Sequence, residues 1–475
     1  MPFCTRVRVP TRVLTTALAA CALPLAMLPP SEATAAAPDN PGQPAYLIAG
    51  YKPHTPQATS DQAVKDTLKS TRLSASLAFD RRLATGAVRF SLDQDTSAPS
   101  PDDLASKLAG DPDVAYAEPD PVFHPAAEPD DPRYPEQWDL WDDKAGMNVP
   151  PAWQYATGKG VNVAVIDTGY VTHSDLDNQI TPGYDFISHP GNARDGNGRD
   201  PNYHDPGSWA EPGYCGPGTP AHDSVWHGTH VAGTIAAQSN NANGVTSTAY
   251  DATVQPLRAL GACGGAASDI AEAVIWAAGG TITGTPDNED PAEVINLSLG
   301  NKVPCDTTTQ QAIDYATDHG TTVVVSAGND NANADDYSPA SCQNVITVAA
   351  NDRTRHRAPY SNYGPAVEIT APGGSTDTRE QDAILSTYNT GTTDPAQENY
   401  LFAQGTSMAA PHISALAALI RQLRPQYTPA QTTHAITSNA AGPITGCGNN
   451  CGAGLADAGA TLRALTTAAS TPTDH

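Results

Sequence analysis

The sequence predicts an α/β protein: a doubly wound parallel sheet flanked by helices, preceded by a small α+β domain. Three observations carry this. Residues 161–166, 294–297, 322–325 and 345–348 are short, β-branched and almost wholly apolar, as strands buried on both faces are. Helix-length patterns at 268–278 and 309–319 lie between them, and such alternation builds a parallel sheet covered on both sides. A Pro- and Asp-rich joint at 119–132 separates this region from a shorter one with its own strands and helices.

In chain order, Arg6, Arg8 and Arg12 precede an apolar run at 13–28 and small residues up to Ala37, which reads as a secretory signal peptide over residues 1–37. Pro24 interrupts the run, and no later stretch approaches the ~20 apolar residues that a membrane span needs. The expected product is exported, with no membrane association after cleavage. Residues 38–127 form the first folded unit: strands at 45–49, 86–90 and 114–118, helices at 61–70 and 101–108. Residues 128–465 form the second, and 466–475 a Thr- and Ala-rich tail that frays.

Charge and cysteine usage narrow the function. The formal net charge is −26, and residues 128–475 hold 38 acids against 14 bases, which excludes nucleic acid as a partner. Cys4 and Cys21 leave with the leader. The six that remain, Cys215, Cys263, Cys305, Cys342, Cys447 and Cys451, are an even number in an oxidising compartment and predict three disulfides. Zinc is poorly served, because Cys447 and Cys451 have no second close Cys or His pair.

Three segments set a reactive side chain among Gly and small residues. Val165-Ile166-Asp167-Thr168-Gly169 ends a buried strand with a carboxylate, where open α/β sheets place their ligands; alone, it also reads as a turn Asp. His227-Gly228-Thr229-His230 opens a helix, and a helix cap or a metal pair of two His stays open beside a catalytic base. Gly405-Thr406-Ser407-Met408-Ala409-Ala410-Pro411 opens another, where Ser407 serves either as N-cap or as nucleophile. A serine nucleophile needs a base to take its proton and a carboxylate to orient that base. The order Asp, His, Ser differs from the chymotrypsin order and from that of the α/β-hydrolases, whose G-x-S-x-G elbow is absent.

On these three motifs the chain resembles the subtilisin-like serine proteases over nearly all of residues 128–465. The resemblance implies Asp167 as orienting acid, His227 as general base and Ser407 as nucleophile of a secreted endopeptidase acting on proteins or peptides as a monomer. It also implies that Asn329, in Ser326-Ala327-Gly328-Asn329-Asp330, donates to the oxyanion beside the Ser407 N–H; a turn Asn is the bland alternative. Ser298, Leu299 and Gly300, with Ala327 and Gly328, resemble the cleft walls that bind substrate as an added strand. Residues 38–127 resemble the family's inhibitory propeptide, which makes the chain's own first unit its inhibitor. Disulfides Cys215–Cys263 and Cys305–Cys342 follow from resemblance and proximity in sequence. Cys447–Cys451 follows from the short loop between them.

Calcium is expected on two grounds. Asp195, Asn197 and Asp200, with Asp205 following, concentrate oxygen ligands in one loop as a hard cation requires, although the spacing is not that of an EF-hand. By resemblance, Asp131, Asp175 and Asn243 build a second site, while residues 244–250 replace the family's more glycine-rich loop. A solvated acidic loop is the alternative. A catalytically silent scaffold of the same fold and a non-proteolytic acyl hydrolase are the competing functions; the first predicts loss of one of Asp167, His227, Asn329 or Ser407, and all four are present.

Overall fold

In the first unit the period-two pattern buries one face of each strand. The computed structural model describes residues 46–92, 101–120 and 128–468; the expected signal peptide with Cys4 and Cys21, residues 121–127 of the joint, and 469–475 of the tail lie outside the described residues. Strands β1 (Tyr46–Tyr51), β2 (Leu77–Arg82), β3 (Val88–Leu92) and β4 (Val114–Pro119) form an antiparallel sheet in the order β2-β3-β1-β4. Leu47, Ala49, Val88 and Phe90 point to one face and share a core with Val64 of helix Asp61–Ser70 and Leu104 of helix Pro101–Ala109. The sequence reading missed β2. It carries Asp80, Arg81 and Arg82 and lies at the sheet edge, where charges are tolerated and hide the strand pattern.

The chain divides into two compact units, Met1–Val122 and Phe123–His475. The second is built on a seven-stranded, wholly parallel sheet: β5 (Asn162–Asp167), β6 (Tyr184–Asp185), β7 (Thr253–Arg258), β8 (Val294–Leu297), β9 (Thr322–Ser326), β10 (Val345–Asn351) and β11 (Ile369–Pro372), in the order β11-β10-β9-β8-β5-β7-β6. An antiparallel hairpin, β12 (Ile384–Asn389) with β13 (Glu398–Ala403), stands apart from it. The expected α/β fold is therefore the observed one. β7 escaped the sequence reading because Gln255, Pro256 and Arg258 break its apolar run.

Burial on both faces explains the unbroken apolar runs. Val163 and Val165 of β5 enter a core with helices His227–Ala236 and Thr406–Leu423, whereas Ala164 and Ile166 enter one with helices Ala267–Ala277 and Thr307–Asp318. Side chains alternate along a strand, so Asp167 falls on the same face as Val163 and Val165, toward the His227 helix. Successive strands leave β5 in opposite directions, β7 to one side and β8 to the other. This is the switch point at which open α/β sheets form a crevice beyond their carboxyl ends.

Candidate active site

At that switch point β5 ends in Asp167, fully buried. Its Oδ1 and Oδ2 lie 2.8 and 2.9 Å from Nδ1 of His227, and Oδ1 also accepts from the Thr168 N–H at 2.7 Å. His227 is the first residue of its helix, and the strand and helix meet closely enough to need glycine: a Cβ on Gly228 would stand 2.3 Å from the Gly169 carbonyl. The His227 pKa is raised: burial, the largest influence, opposes it, but the charge and hydrogen bond of Asp167 outweigh burial. Next along the same helix, His230 donates Nε2–H to the carbonyls of Ile384 and Leu401. Burial pulls its pKa down to about 4, leaving it neutral. The two histidines engage different partners, which argues against the metal pair.

Ser407 is the second residue of helix Thr406–Leu423, whose N-cap Gly405 offers no side-chain cap. Pro411, one turn on, has no N–H to give the Ser407 carbonyl. That carbonyl instead accepts from Ser298 Oγ at 2.9 Å, and Ser407 Oγ donates back to the Ser298 carbonyl at 3.2 Å. The proline thus ties the start of this helix to the segment leaving β8. Asn329 Oδ1 accepts from both the N–H and the hydroxyl of Thr406 at 2.9 Å. With its oxygen held, the Asn329 amide presents its NH₂ to the same helix N-terminus, beside the first-turn N–H groups.

A residue the sequence did not single out supports that arrangement. Asn362, fully buried, donates to the Ala327 carbonyl at 2.9 Å and accepts from the N–H groups of Asp330 and Ala332 at 3.0 and 2.9 Å. It thereby holds the turn in which Gly328 has φ +103°; a Cβ there would be 2.3 Å from the Asn362 amide nitrogen. An isolated Asn in a loop carries no sequence signal for this task.

A cleft of about 860 Å³ opens beside His227 between the segments that follow β7 and β8. Ser298, Leu299 and Gly300 line one wall; Leu260, Gly261 and Gly264, absent from the sequence reading, line the other. Ala327 and Gly328 are not among its lining residues and contribute to the turn that carries Asn329. Disulfide Cys215–Cys263 forms part of the wall, with Cys305–Cys342 and Cys447–Cys451 elsewhere in the unit.

The acidic residues separate into three places. Asp131 and Asp175, both buried, converge on residues 239–245: Asn241 donates its N–H to Asp131 at 3.4 Å and its amide to Asp175 at 2.7 Å, and Val245 N–H reaches Asp175 at 2.9 Å. Burial raises the pKa of both carboxyls, and every hydrogen bond to them comes from a neutral group. Asn243 adjoins them through its N–H on Asn241 Oδ1 at 2.8 Å. This oxygen-rich, negatively charged set suits a hard cation. In the second place, Asp195 and Asp200 group with Asp185, close enough for one ion, and Asn197 donates to Asp200 at 2.7 Å. Here, however, the buried Arg258 guanidinium is already bound to Asp185 and, at 3.1 Å, to Asp195. Asp205 is in the third place, apart from that group: its backbone N–H donates to the Tyr170 carbonyl at 2.9 Å and its Oδ1 accepts from Gly207 N–H at 2.8 Å. Burial pushes its pKa up to about 6.

A switch-point crevice, a carboxylate-bound imidazole and a serine at a helix N-terminus are the parts that a hydrolase of the serine-nucleophile type requires. The chain belongs to the Subtilase family, which its residues 158–454 match. It is 47% identical over 385 residues to an extracellular protease of Xanthomonas campestris pv. campestris, an alignment covering 81% of this chain and 65% of that one. Against an extracellular basic protease of Dichelobacter nodosus the identity is 38% over 436 residues, covering 88% and 70%. A solved protease structure from Pseudoalteromonas arctica superposes with a TM-score of 0.70 at 47% identity, covering 71% of this chain and all of that one. The chain therefore spans just under two thirds of the Xanthomonas relative.

Proposed function

We propose that this chain matures into an extracellular serine endopeptidase. The observation that carries the reading is that Asp167 holds His227 Nδ1 through both carboxylate oxygens. In this mechanism Ser407 Oγ leaves its bond to the Ser298 carbonyl and attacks the scissile carbonyl carbon, while its proton passes to His227 Nε2. Asp167 keeps the Nδ1–H tautomer and stabilises the imidazolium. The oxyanion accepts from Asn329 Nδ2 and the Ser407 N–H. His227 then protonates the leaving amine, and water attacks the acyl-enzyme by the reverse sequence of proton transfers. Substrate lies extended along residues 298–300. The extracellular relatives and the leader-like N-terminus support export.

Residues 38–127 act as an inhibitory propeptide that the enzyme removes itself, and the mature domain begins near residue 128. Calcium is held by Asp131, Asp175 and Asn243; a second ion at Asp195, Asn197 and Asp200 would have to share its carboxylates with Arg258. Its contribution is to stability, because the bond-making steps use none of these residues.

The test uses purified full-length chain and a serine-directed irreversible inhibitor. Expected are stoichiometric labelling of Ser407, loss of casein cleavage on labelling, and a Ser407→Ala precursor that stays uncut. Asn329→Ala should lower kcat by about 10²- to 10³-fold with KM little changed, the magnitude known for subtilisin's own oxyanion amide. Cleavage of a simple ester without any cleavage of casein would make the chain an acyl hydrolase and overturn the endopeptidase reading.

A further inference from the structure

The helix that begins at His227 lacks an ordinary cap. Trp226 stands at its N-cap position and supplies no side-chain hydrogen bond, so the first-turn N–H groups need another acceptor. For Gly228 that acceptor is Thr168 Oγ1, at 3.1 Å. Two further bonds complete the seam between the β5 turn and this helix: Asp167 to His227, and Val171 N–H to Thr229 Oγ1 at 3.0 Å. Thr168 is thus the residue between the acid and the start of the helix that bears the base.

A hydroxyl that accepts one hydrogen bond still has a proton to give. Asp205 packs against the turn that carries Thr168, its backbone nitrogen 3.2 Å from where a Cβ on Gly169 would stand; its Oδ2 is buried with no hydrogen-bond partner, and the Thr168 hydroxyl favours its ionised form. Asp205 is 2% exposed and is fixed by its own backbone bond to Tyr170 and by Gly207 N–H on Oδ1. The Thr168 proton and Asp205 Oδ2 are therefore the two unmatched halves of one bond. The charged groups facing Asp205 are Asp167 at the end of β5, Arg258 at the end of β7 and the phenol of Tyr388 in β12.

We propose that Asp205 is a positioning residue of the active site: through the Thr168 hydroxyl it caps the His227 helix and fixes the imidazole against Asp167. Asp205 touches neither substrate nor the reacting atoms. Its negative charge reaches the positive end of the helix through one hydroxyl, and a helix start displaced by a fraction of an ångström moves Nε2 relative to Ser407. This role rests on the endopeptidase reading above.

Asp205→Asn tests it, because an amide cannot accept from both Gly207 N–H and the Thr168 hydroxyl; one of the two must meet a donor. In the mature enzyme, with sites counted by the serine-directed inhibitor, kcat for a peptide substrate should fall about tenfold while KM stays within twofold of wild type. Thr168→Val should produce a similar loss, and the double variant should lose no more than the worse single one, since both break one relay. Equal kcat in wild type and Asp205→Asn would overturn the proposal. So would fully additive losses, or a fall in the number of labelled sites that accounts for the whole loss. Should Asp205→Asn fail to fold, Thr168→Val alone decides through the same split between kcat and KM. Wild-type protein that neither cleaves peptide nor takes the label would instead overturn the endopeptidase reading.

Discussion

Asp167 and the pair Asp131 and Asp175 are all buried carboxylates of the larger unit, yet what answers their charge differs. Asp167 meets an imidazole that can carry the matching charge. Asp131 and Asp175 meet only backbone N–H, amide and hydroxyl donors. Between these extremes, Asp185 and Asp195 are answered by the permanent charge of Arg258. Burying a charge is costly unless it is matched, so the matching group decides the role. The titratable partner suits the catalytic pair proposed for Asp167 and His227, the fixed cation suits a structural pair, and neutral donors leave a place for an ion from solvent.

The largest expected effect comes from breaking the first match. Asp167→Asn should lower kcat by about 10⁴-fold, because the amide favours the wrong imidazole tautomer, with little change in KM. The pH–rate profile sharpens this. The base must be neutral, so wild-type kcat/KM should rise with pH through a midpoint above the ordinary histidine value of about 6.5, since Asp167 raises the His227 pKa. In Asp167→Asn only burial remains, and the midpoint of the residual activity should fall. A midpoint that stays put would separate Asp167 from the pKa of the base.

Breaking the second match should cost stability rather than chemistry. Arg258→Met leaves the buried Asp185, with Asp195 beside it, without a cation, at a cost of about 3–5 kcal/mol, measurable by urea denaturation. Burial pushes the Asp185 pKa up to about 7, so the folded state holds that proton more tightly than the unfolded one and stability declines as pH rises toward 7. The deficit of Arg258→Met should accordingly be larger at pH 8 than at pH 5, and adding Asp185→Asn should recover part of it. An unaltered denaturation midpoint would mean that Arg258 is not the matching charge.

The third region is tested by removing the ion. Chelation should lower Tm more than it lowers the initial rate, because an ion at a hundredfold excess over its Kd stabilises the fold by about 2.7 kcal/mol. Asp175→Asn should abolish the sensitivity to chelator. A melting temperature indifferent to chelator would remove calcium from residues 239–245.

The smallest effect belongs to Glu368, a carboxylate answered by neither histidine, arginine nor ion. It accepts from Thr347 N–H at 2.6 Å, and burial pushes its pKa up to about 7. Such a group takes a proton instead. Its ionisation therefore costs native stability as pH rises through that value. Glu368→Gln should raise Tm by about 1–3 °C at pH 8 and leave it unchanged at pH 5. An equal gain at both values would point to packing rather than charge.

The amino-acid sequence by itself determined the class of fold and singled out the side chains proposed as reactive, because both are written locally. A strand buried on both faces must be apolar along its length, as residues 163–166 are, and a reactive residue at a strand end or helix start needs small neighbours, as Asp167, His227 and Ser407 have. Only tertiary structure decided which carboxylate is answered by what. Arg258 lies in a strand concealed by Pro256, Asn362 holds the Asn329 turn from a loop without pattern, and Asp205 sits in the same acidic stretch as Asp200 yet packs against Thr168 instead. Charge matching is a property of distance in space. Residues far apart along the chain meet only when the sheet brings the ends of β5, β7 and β8 together, and no local pattern records that meeting.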